Sequence, residues 1–352
     1  MTRPRATDTV REMEAADWAS LSDEELLERR ISKLGLRLEE TALEPLIKQF
    51  YDELSAKGLT FHPPCHIGDE WFVPVGIPAI FVPFFLVHDR LRALEKTMML
   101  EVEGGTREWF MKLIRHEAAH AYSYAYKLPR KKKWQEMFGH TSREQTPDIY
   151  HPQPFSRSYV VNLDDWYAQS HPDEDFAETF AVWLTPDSNW EQRYSGWGAL
   201  KKLQYVEAAA TRLHRLAPPV TLDEHDLDVD QMEETVLEHY RLRNLEEKVD
   251  VQLGDHLDED LTALFERADE APTRADNLIR SERQALIVAV TQYSGVSRAV
   301  VRSVIDHLLE RTSELNLSVH RDKAREYMTR LTSLLTALAM NYLYTDRFFE
   351  VD

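Results

Sequence analysis

The sequence predicts a mainly helical α+β fold, in which a domain with a small sheet precedes a C-terminal helical bundle. Continuous apolar stripes at helical spacing, such as Val300, Val304 and Leu308, predict packed helices in the last third of the chain. Residues 70–75 and 77–84 are rich in β-branched and aromatic residues and predict strands. The prolines within these two segments favour edge strands or bends, so the expected sheet is small.

The clearest domain boundary signal is Ala217-Pro218-Pro219. We therefore predict a flexible N-terminal segment at 1–20, a first domain at 21–216 and an all-helical domain at 220–352. The predicted helices of the second domain lie at about 228–250, 257–268, 274–293, 297–315 and 319–346. No residue pattern in this bundle indicates a ligand, and we expect it to bind a protein partner or to self-associate.

Within the first domain we predict helices over 21–57, over 88–102 and from Thr106 to about 128, with at least one more over 189–210. Residues 129–165 contain four prolines and little helical periodicity. This segment is therefore expected to be a long connection that shapes a cleft.

Composition excludes several classes of protein. The 61 acidic and 42 basic residues give a formal net charge of −19, which disfavours binding to nucleic acid or anionic membranes. The single cysteine, Cys65, rules out an intramolecular disulfide framework. The longest apolar run, 77–87, is too short to span a bilayer, and 1–20 lacks the apolar core of a signal peptide. We expect a cytoplasmic protein, and we interpret the basic run 130–133 as solvated loop charge rather than a guide for acidic peptides.

One short motif indicates a chemistry. Residues 116–120 read His-Glu-Ala-Ala-His, an HExxH pattern within a helical stretch. Histidines four residues apart share one helix face, so His116 and His120 can both bind one tetrahedral Zn²⁺. Zinc lowers the pKa of a bound water, and Glu117 beside it can accept the proton as a general base. The motif thus predicts one zinc ion per chain and a zinc hydrolase.

The motif alone also fits a buried helix in which two histidines are paired with a glutamate. The surrounding residues favour metal, because the segment is apolar almost all round, from Trp109 and Phe110 to Tyr124 and Ala125. Two histidines and a carboxylate are costly to bury in such surroundings unless they are paired or metal-bound.

A catalytic zinc usually has three protein ligands and keeps one position for water. The metzincin class would need Gly and His where this chain has Ser123 and Tyr126. A second predicted helix, 171–184, carries Glu174 and Glu178 four residues apart, beyond a Pro172 start. We assign Glu174 as the third ligand and Glu178 as the carboxylate that accepts a hydrogen bond from a ligand histidine. The alternative is that both are ordinary first-turn acids on a solvated face.

Four further features accompany the HEAAH helix: Arg115 directly before the motif, and the segments 69–71, 156–160 and 166–181, of which the last reads Trp-Tyr-Ala-Gln-Ser-His-Pro-Asp-Glu-Asp-Phe-Ala-Glu-Thr-Phe-Ala. With these features the chain resembles a bacterial family of zinc-binding metallopeptidases from Asp69 to about Val206. The two motif helices also resemble those of anthrax lethal factor. The resemblance implies a zincin-like, gluzincin-type catalytic domain. Many members carry a cysteine-rich zinc ribbon, which a chain with only Cys65 cannot form.

In the lethal-factor type of site, a Glu-x-Phe-Ala-Glu pattern carries the third zinc ligand at its first glutamate, and a tyrosine seven residues earlier points at the reaction centre. The resemblance therefore implies Glu174 as a ligand and Tyr167 as a hydrogen-bond donor to developing charge, although Tyr167 also fits an aromatic packed between helices. His171, just before a proline, fits a capping or surface role. Arg157 could bind a substrate carboxylate, but pairing with a structural acid is favoured.

The leading hypothesis from the sequence is a zinc metallopeptidase that hydrolyses peptide or protein substrates with a zinc-activated water and Glu117 as the base. Two alternatives stay open. One is a zinc-containing binding module or scaffold without peptidase activity, whose closed site would need a fourth protein ligand. The other is a zinc hydrolase that acts on a non-peptide amide, which the ligand residues cannot distinguish from a peptidase.

Overall fold

The structure is a computed structural model that describes residues 18–99, 101–140, 152–164, 166–214, 216–221, 229–246, 253, 256–267 and 273–345. These residues separate into two compact units. Unit 1 draws on Met1–Thr146, Arg157–Leu163 and Tyr167–Asn244, and unit 2 on Pro147–Ser156, Asp164–Trp166 and Leu245–Asp352. The protein is mainly helical with small sheets, in agreement with the predicted α+β class. Of the predicted flexible segment, residues 1–17 lie outside the described residues.

Most helices described in unit 1 form where the sequence predicts helical segments. The helices of this unit include α1 Asp23–Leu27, α2 Glu44–Ala56, α3 Asp89–Met99, α4 Arg107–Tyr126, α5 Lys132–Phe138, α6 Pro172–Leu184, α7 Trp190–Arg193, α8 Ala199–Leu213 and α9 Val236–Glu246. Thr106 caps α4 as predicted, because its side chain accepts a hydrogen bond from the backbone N–H of Trp109. Helix α4 is buried almost all round and packs against α6. This pairing positions the motif residues of both helices.

A two-stranded parallel sheet lies in unit 1, where β1 Cys65–Gly68 pairs with β2 Ile80–Pro83. The predicted strand at 77–84 contains β2, whereas the predicted strand at 70–75 is wrong. That segment contributes only an isolated bridge, between Phe72 and Phe81. The chain turns after Pro74, because Gly76 adopts a left-handed φ of 82° and Val75 is 72% exposed. The extended backbone therefore does not continue through 70–75.

The connection after the HExxH helix is more regular than its composition predicts. A 3₁₀ turn at Leu128–Arg130 leads into α5, which lies inside the predicted irregular segment 129–165. Trp134 and Phe138, four residues apart, are both buried and both lie near Phe176 of α6. Burial of this aromatic pair stabilises a helix that is too short for periodicity to reveal. Residues 141–151 of the connection lie outside the described residues.

The boundary between the units differs from the one predicted at 217–219. Unit 1 continues to Asn244 and so includes most of α9. Tyr240 is fully buried there, and Arg243 Nη1 lies 2.9 Å from Glu95 Oε1 of α3. The backbone N–H of Ile31 donates to Glu234 O at 3.1 Å, which attaches the segment before α9 to the N-terminal part of the unit. These contacts are far apart in sequence, so a local signal such as Pro218-Pro219 does not report them.

Unit 2 contains helices in the last four of the five segments predicted for the second domain, and also a sheet. Its helices include α10 His256–Leu264, α11 Ala275–Ser294, α12 Arg298–Glu314 and α13 Ala324–Thr345. The strands β3 Glu266–Arg267 and β4 Thr273–Arg274 pair antiparallel with the two sides of β5 Leu317–Val319. The expectation of an all-helical domain is therefore wrong, because strands of two or three residues are too short to show an alternating pattern. Among the described helices, none combines the length and apolar character needed to span a membrane.

Candidate metal site

Two histidines of α4 face one point in unit 1. His116 is buried, with 3% of its surface exposed, and His120 is half-buried. Their separation of four residues places both imidazoles on one helix face, and the two Nε2 atoms lie 3.2 Å apart. The rings meet edge to face with centroids 5.0 Å apart. The two Nε2 atoms are therefore close enough to bind one metal ion together.

The first turn of α6 brings a carboxylate to the same point. His171 occupies the N-cap, where its Nδ1 accepts a hydrogen bond from the backbone N–H of Asp173 at 3.2 Å, so the predicted capping role is confirmed. Pro172 then fixes the start of the helix. Oε2 of Glu174 lies 3.0 Å from His116 Nε2 and 3.3 Å from His120 Nε2. Two helices from different parts of the sequence thereby contribute three ligand atoms.

These three atoms fit the geometry of a metal ion. His116, His120 and Glu174 (the metal group) could hold one ion, because their ligand atoms lie 3.0, 3.2 and 3.3 Å from one another. In a tetrahedral zinc site with bonds of about 2.0–2.1 Å, neighbouring ligand atoms lie roughly 3.3–3.4 Å apart. Two imidazole nitrogens and a carboxylate oxygen this close together repel one another unless a cation or protons lie between them. The donor set, two nitrogens and one oxygen, suits a divalent transition metal.

The other ring nitrogen of His116 contacts Glu178, one turn further along α6. Nδ1 of His116 lies 2.8 Å from Oε1 of Glu178, whose side chain is fully buried. The same carboxylate accepts hydrogen bonds from Asn162 Nδ2 at 2.9 Å and from the backbone N–H of Leu163 at 2.8 Å. Because a carboxylate only accepts, Nδ1 of His116 carries a proton, and in the neutral ring Nε2 is then the nitrogen whose lone pair can bind a metal.

Burial and charge shift the pKa values of this group in opposite directions. Burial lowers the pKa of His116, but hydrogen bonds to Glu174 and Glu178 outweigh it and hold that pKa well above its usual range. Burial raises the pKa of Glu174, but the charges of His120 and His116 outweigh it and leave that pKa far below normal. The group therefore holds an ionised carboxylate that stabilises positive charge beside it.

Glu117 lies one residue beyond His116 and is buried, with 6% of its surface exposed. Burial raises the pKa of its carboxyl, and the nearby charges of His116 and His120 oppose this rise. A carboxylate with a raised pKa is a stronger proton acceptor than one in water. The influence of both histidines on this pKa places the Glu117 carboxyl near the point that His116 and His120 face.

The two remaining predicted site residues are Tyr167 and Arg157, and only Tyr167 has a described contact with the histidines. Tyr167 begins a short 3₁₀ turn, Tyr167–Gln169, and is 36% exposed, with its ring centroid 5.7 Å from that of His116. It thus lies beside the metal group. Arg157 is exposed and its guanidinium lies over the ring of Trp197 at 5.8 Å, so an aromatic ring takes the place of the expected acidic partner.

Sequence reasoning missed the residues that support the site from outside. Asn162 and the backbone of Leu163 belong to an irregular segment, and no pattern marks them as partners of Glu178. A second missed contact joins α6 to α8, where Lys202 Nζ lies 2.6 Å from Asp175 Oδ2. Burial raises the pKa of Asp175 to about 7, and Lys202 counters part of this rise. The Asp175–Lys202 pair fixes the helix turn that carries Glu174.

Comparison with known proteins adds no family to this description. No family model matches the chain, and neither the curated proteins nor the solved structures include a significant match to it. The functional argument therefore rests on the geometry of the site.

Proposed function

We propose that this protein is a zinc-dependent metallopeptidase of the gluzincin type, with a zincin-like catalytic domain. The observation that supports the proposal most directly is the triangle of His116 Nε2, His120 Nε2 and Glu174 Oε2, with sides of 3.0–3.3 Å. Two histidines and one glutamate are the protein ligands of a well-known class of catalytic zinc site, in which a fourth position serves water or substrate. A peptide or protein is the proposed substrate class.

When bound, zinc would polarise a substrate carbonyl and lower the pKa of a water molecule. Glu117 is the proposed general base, which takes the proton as the water attacks and passes it to the leaving amine. Tyr167 is the proposed hydrogen-bond donor to negative charge that develops on the carbonyl oxygen. Glu178 holds His116 in the tautomer that leaves Nε2 free.

The metal is tested first, independently of activity. Purified protein should contain about one zinc ion per chain, as a site with three protein ligands predicts. Inductively coupled plasma mass spectrometry measures this content. The His120→Gln variant should lose most of it, while the matched variant His140→Gln, at an exposed position of unit 1, should keep it. Equal zinc content in both variants would contradict the assignment of the ligands.

Activity is then tested with a fluorogenic peptide library and product mapping. Glu117→Gln should lower hydrolysis by at least about a hundredfold while zinc content stays near one, because the general base is lost and the ligands are not. Glu191→Gln, an exposed glutamate of α7, should behave as wild type. If the zinc-loaded wild type cleaved no peptide, or if Glu117→Gln cleaved peptides normally, the peptidase assignment would be wrong.

A further inference from the structure

A cavity of about 540 Å³ lies in unit 1, and its lining residues do not include His116, Glu117, His120 or Glu174. This volume is within the range of about 300–1,000 Å³ that small-molecule sites occupy. Its wall includes residues from the first half of α4, the irregular segment around Asn162, and the chain between α6 and α7. The lining also includes Gln49 of α2, Val182 of α6 and Arg193 of α7.

Cations dominate the wall of the cavity. The described residues that line it include four basic side chains, Arg107, Lys112, Arg115 and Arg193, and one acidic side chain, Glu108. The whole chain has a formal net charge of −19, so this local excess of positive charge runs against the overall field.

Most of this positive charge has no acidic partner among the described contacts. Arg115 is neutralised, because it forms a bidentate pair with Glu53 at 2.7 and 2.8 Å. Arg107 instead donates to the amide oxygen of Gln49, and Arg193 donates to the backbone carbonyl of Val161 at 3.3 Å. Neutral acceptors leave the charge of both guanidiniums uncompensated.

Polar groups without charge complete the wall. Asn162 and Ser188 line the cavity and can donate hydrogen bonds to an anion, whereas the hydroxyl of Thr185 already donates to the backbone carbonyl of Ala181 at 2.8 Å. Asn162 already donates to Glu178, but its amide has a second N–H. Arginine, lysine and hydroxyl groups around one cavity are the donors that phosphate and carboxylate groups prefer.

We propose that this cavity is a binding site for a small organic anion that carries at least two negative charges on phosphate or carboxylate groups. Lys112 and Arg193 are the principal ligands, with Arg107 at the rim. A small ligand fits better than an extended polyanion, because a nucleic acid would also meet the acidic field of the rest of the chain. The site is separate from the metal group and does not depend on the proposed peptidase activity.

Isothermal titration of the full chain tests the site with three probes: inorganic phosphate, glycerol 3-phosphate and succinate, each at constant ionic strength. We expect saturable binding of at least one probe with one site per chain, and none of glycerol. The double variant Lys112→Gln/Arg193→Gln should weaken that binding at least about tenfold, because two charge-assisted contacts are lost. The matched double variant Lys201→Gln/Arg212→Gln, at exposed positions of α8, should bind as wild type.

Three outcomes would overturn the proposal, two of them in the titrations just described. One is the absence of saturable binding of every probe up to about 10 mM, which excludes affinities useful for recognition. The other is an equal loss of binding in the two double variants, which would indicate a general charge effect. The same titration with His120→Gln should give unchanged binding, and a loss of binding in that variant would assign the probe to a bound metal and contradict the proposed site.

Discussion

Nδ1 of His116 lies 2.8 Å from Oε1 of Glu178, and no part of the Glu178 residue is exposed to solvent. The carboxylate also accepts from Asn162 Nδ2 and from the backbone N–H of Leu163. A buried carboxylate with three donors cannot turn away from the histidine without leaving a charge unsatisfied. Glu178 therefore fixes both the orientation and the tautomer of the ring that faces the metal group.

The Glu178→Gln variant should bind zinc about 10- to 100-fold more weakly than wild type, the usual cost of losing such a partner of a ligand histidine. Glutamine offers one acceptor oxygen, and its amide donor would face one of the three donors. Competition with a chromophoric chelator measures the affinity, and circular dichroism confirms that the variant is folded. The control is Glu24→Gln, at an exposed position of α1. Unchanged zinc affinity in a folded Glu178→Gln variant would refute the role.

Tyr167→Phe tests the hydrogen bond proposed for the transition state. The phenol lies beside the metal group, with its ring 5.7 Å from that of His116. Its loss should lower kcat and kcat/KM by a similar factor, about tenfold to a hundredfold, and leave zinc content unchanged. Tyr205→Phe, a half-buried tyrosine of α8, is the matched control. A rise in KM with kcat unchanged would instead indicate that Tyr167 binds the ground state of the substrate.

The helices that carry the metal group follow local rules, so the sequence could predict them. Thr106 caps α4, because its side chain accepts a hydrogen bond from the backbone N–H of Trp109, and His171 and Pro172 mark the start of α6. Once both segments are helical, a spacing of four residues places each pair of functional side chains on one face. The motifs predict that Glu174 lies close to the two histidines, and its Oε2 lies 3.0 Å from His116 Nε2 and 3.3 Å from His120 Nε2.

The remaining features depend on contacts between distant residues, which sequence spacing does not encode. Leu163 reaches Glu178 through its backbone N–H, which is present at every residue except proline. Strand β5 acquires its two partners from chain segments more than 40 residues away, and the strands are too short for a period. Helix α9 belongs to unit 1 through Tyr240 and the Arg243–Glu95 pair, so the boundary follows packing rather than the two prolines.

A buried ion pair stabilises the helix that carries the HExxH motif. Arg115 Nε lies 2.7 Å from Glu53 Oε2 of α2, and both side chains are less than 10% exposed. Arg115→Met should destabilise unit 1 by about 3–5 kcal/mol, because it leaves Glu53 buried with an uncompensated charge. Urea unfolding monitored by tryptophan fluorescence measures this, since seven of the eight tryptophans belong to unit 1.

The double variant Glu53→Met/Arg115→Met provides the control for that measurement. Removal of both charges also removes the uncompensated one, so the double variant should be more stable than Arg115→Met alone. If the two single losses simply added, the interpretation as a coupled buried pair would be wrong.

Gly295 ends α11 of unit 2 with a left-handed φ of 75°. A Cβ at this position would lie 3.1 Å from Pro152 Cγ and 3.2 Å from Pro154 Cγ. Gly295→Ala should therefore lower the free energy of unfolding of unit 2 by more than the roughly 1 kcal/mol that a left-handed alanine costs by itself. The matched control is Gly196→Ala, with a φ of 77° and no described atom within 4 Å of the added Cβ.

Hydrogen exchange of the amides near each glycine reports this difference. Exchange in the last turns of α11 should increase more in Gly295→Ala than exchange around residue 196 increases in Gly196→Ala, because only the first substitution adds close contacts to the backbone strain. Equal increases would show that Pro152 and Pro154 move aside without loss of stability, and would contradict the prediction.

His239 of α9 should make the stability of unit 1 dependent on pH. It is 5% exposed, its ring packs edge to face on Phe84, and its Nε2 has no hydrogen-bond partner among the described residues. Burial, together with the charge of Arg243, lowers its pKa from 6.5 to about 4. The unfolded chain therefore binds a proton between these pH values that the folded chain does not, and folding loses stability as the pH falls from 6.5 towards 4.

Replacement by His239→Leu should remove this contribution. Relative to the variant, wild type should lose up to roughly 3 kcal/mol of unfolding free energy between pH 6.5 and 4, and the difference between the two proteins should stay constant above pH 7. Urea unfolding at a series of pH values measures it, with His140→Gln as the exposed control. If the two stability profiles ran parallel through this range, His239 would already be protonated in the folded protein, and the packing against Phe84 would have to accommodate a charge.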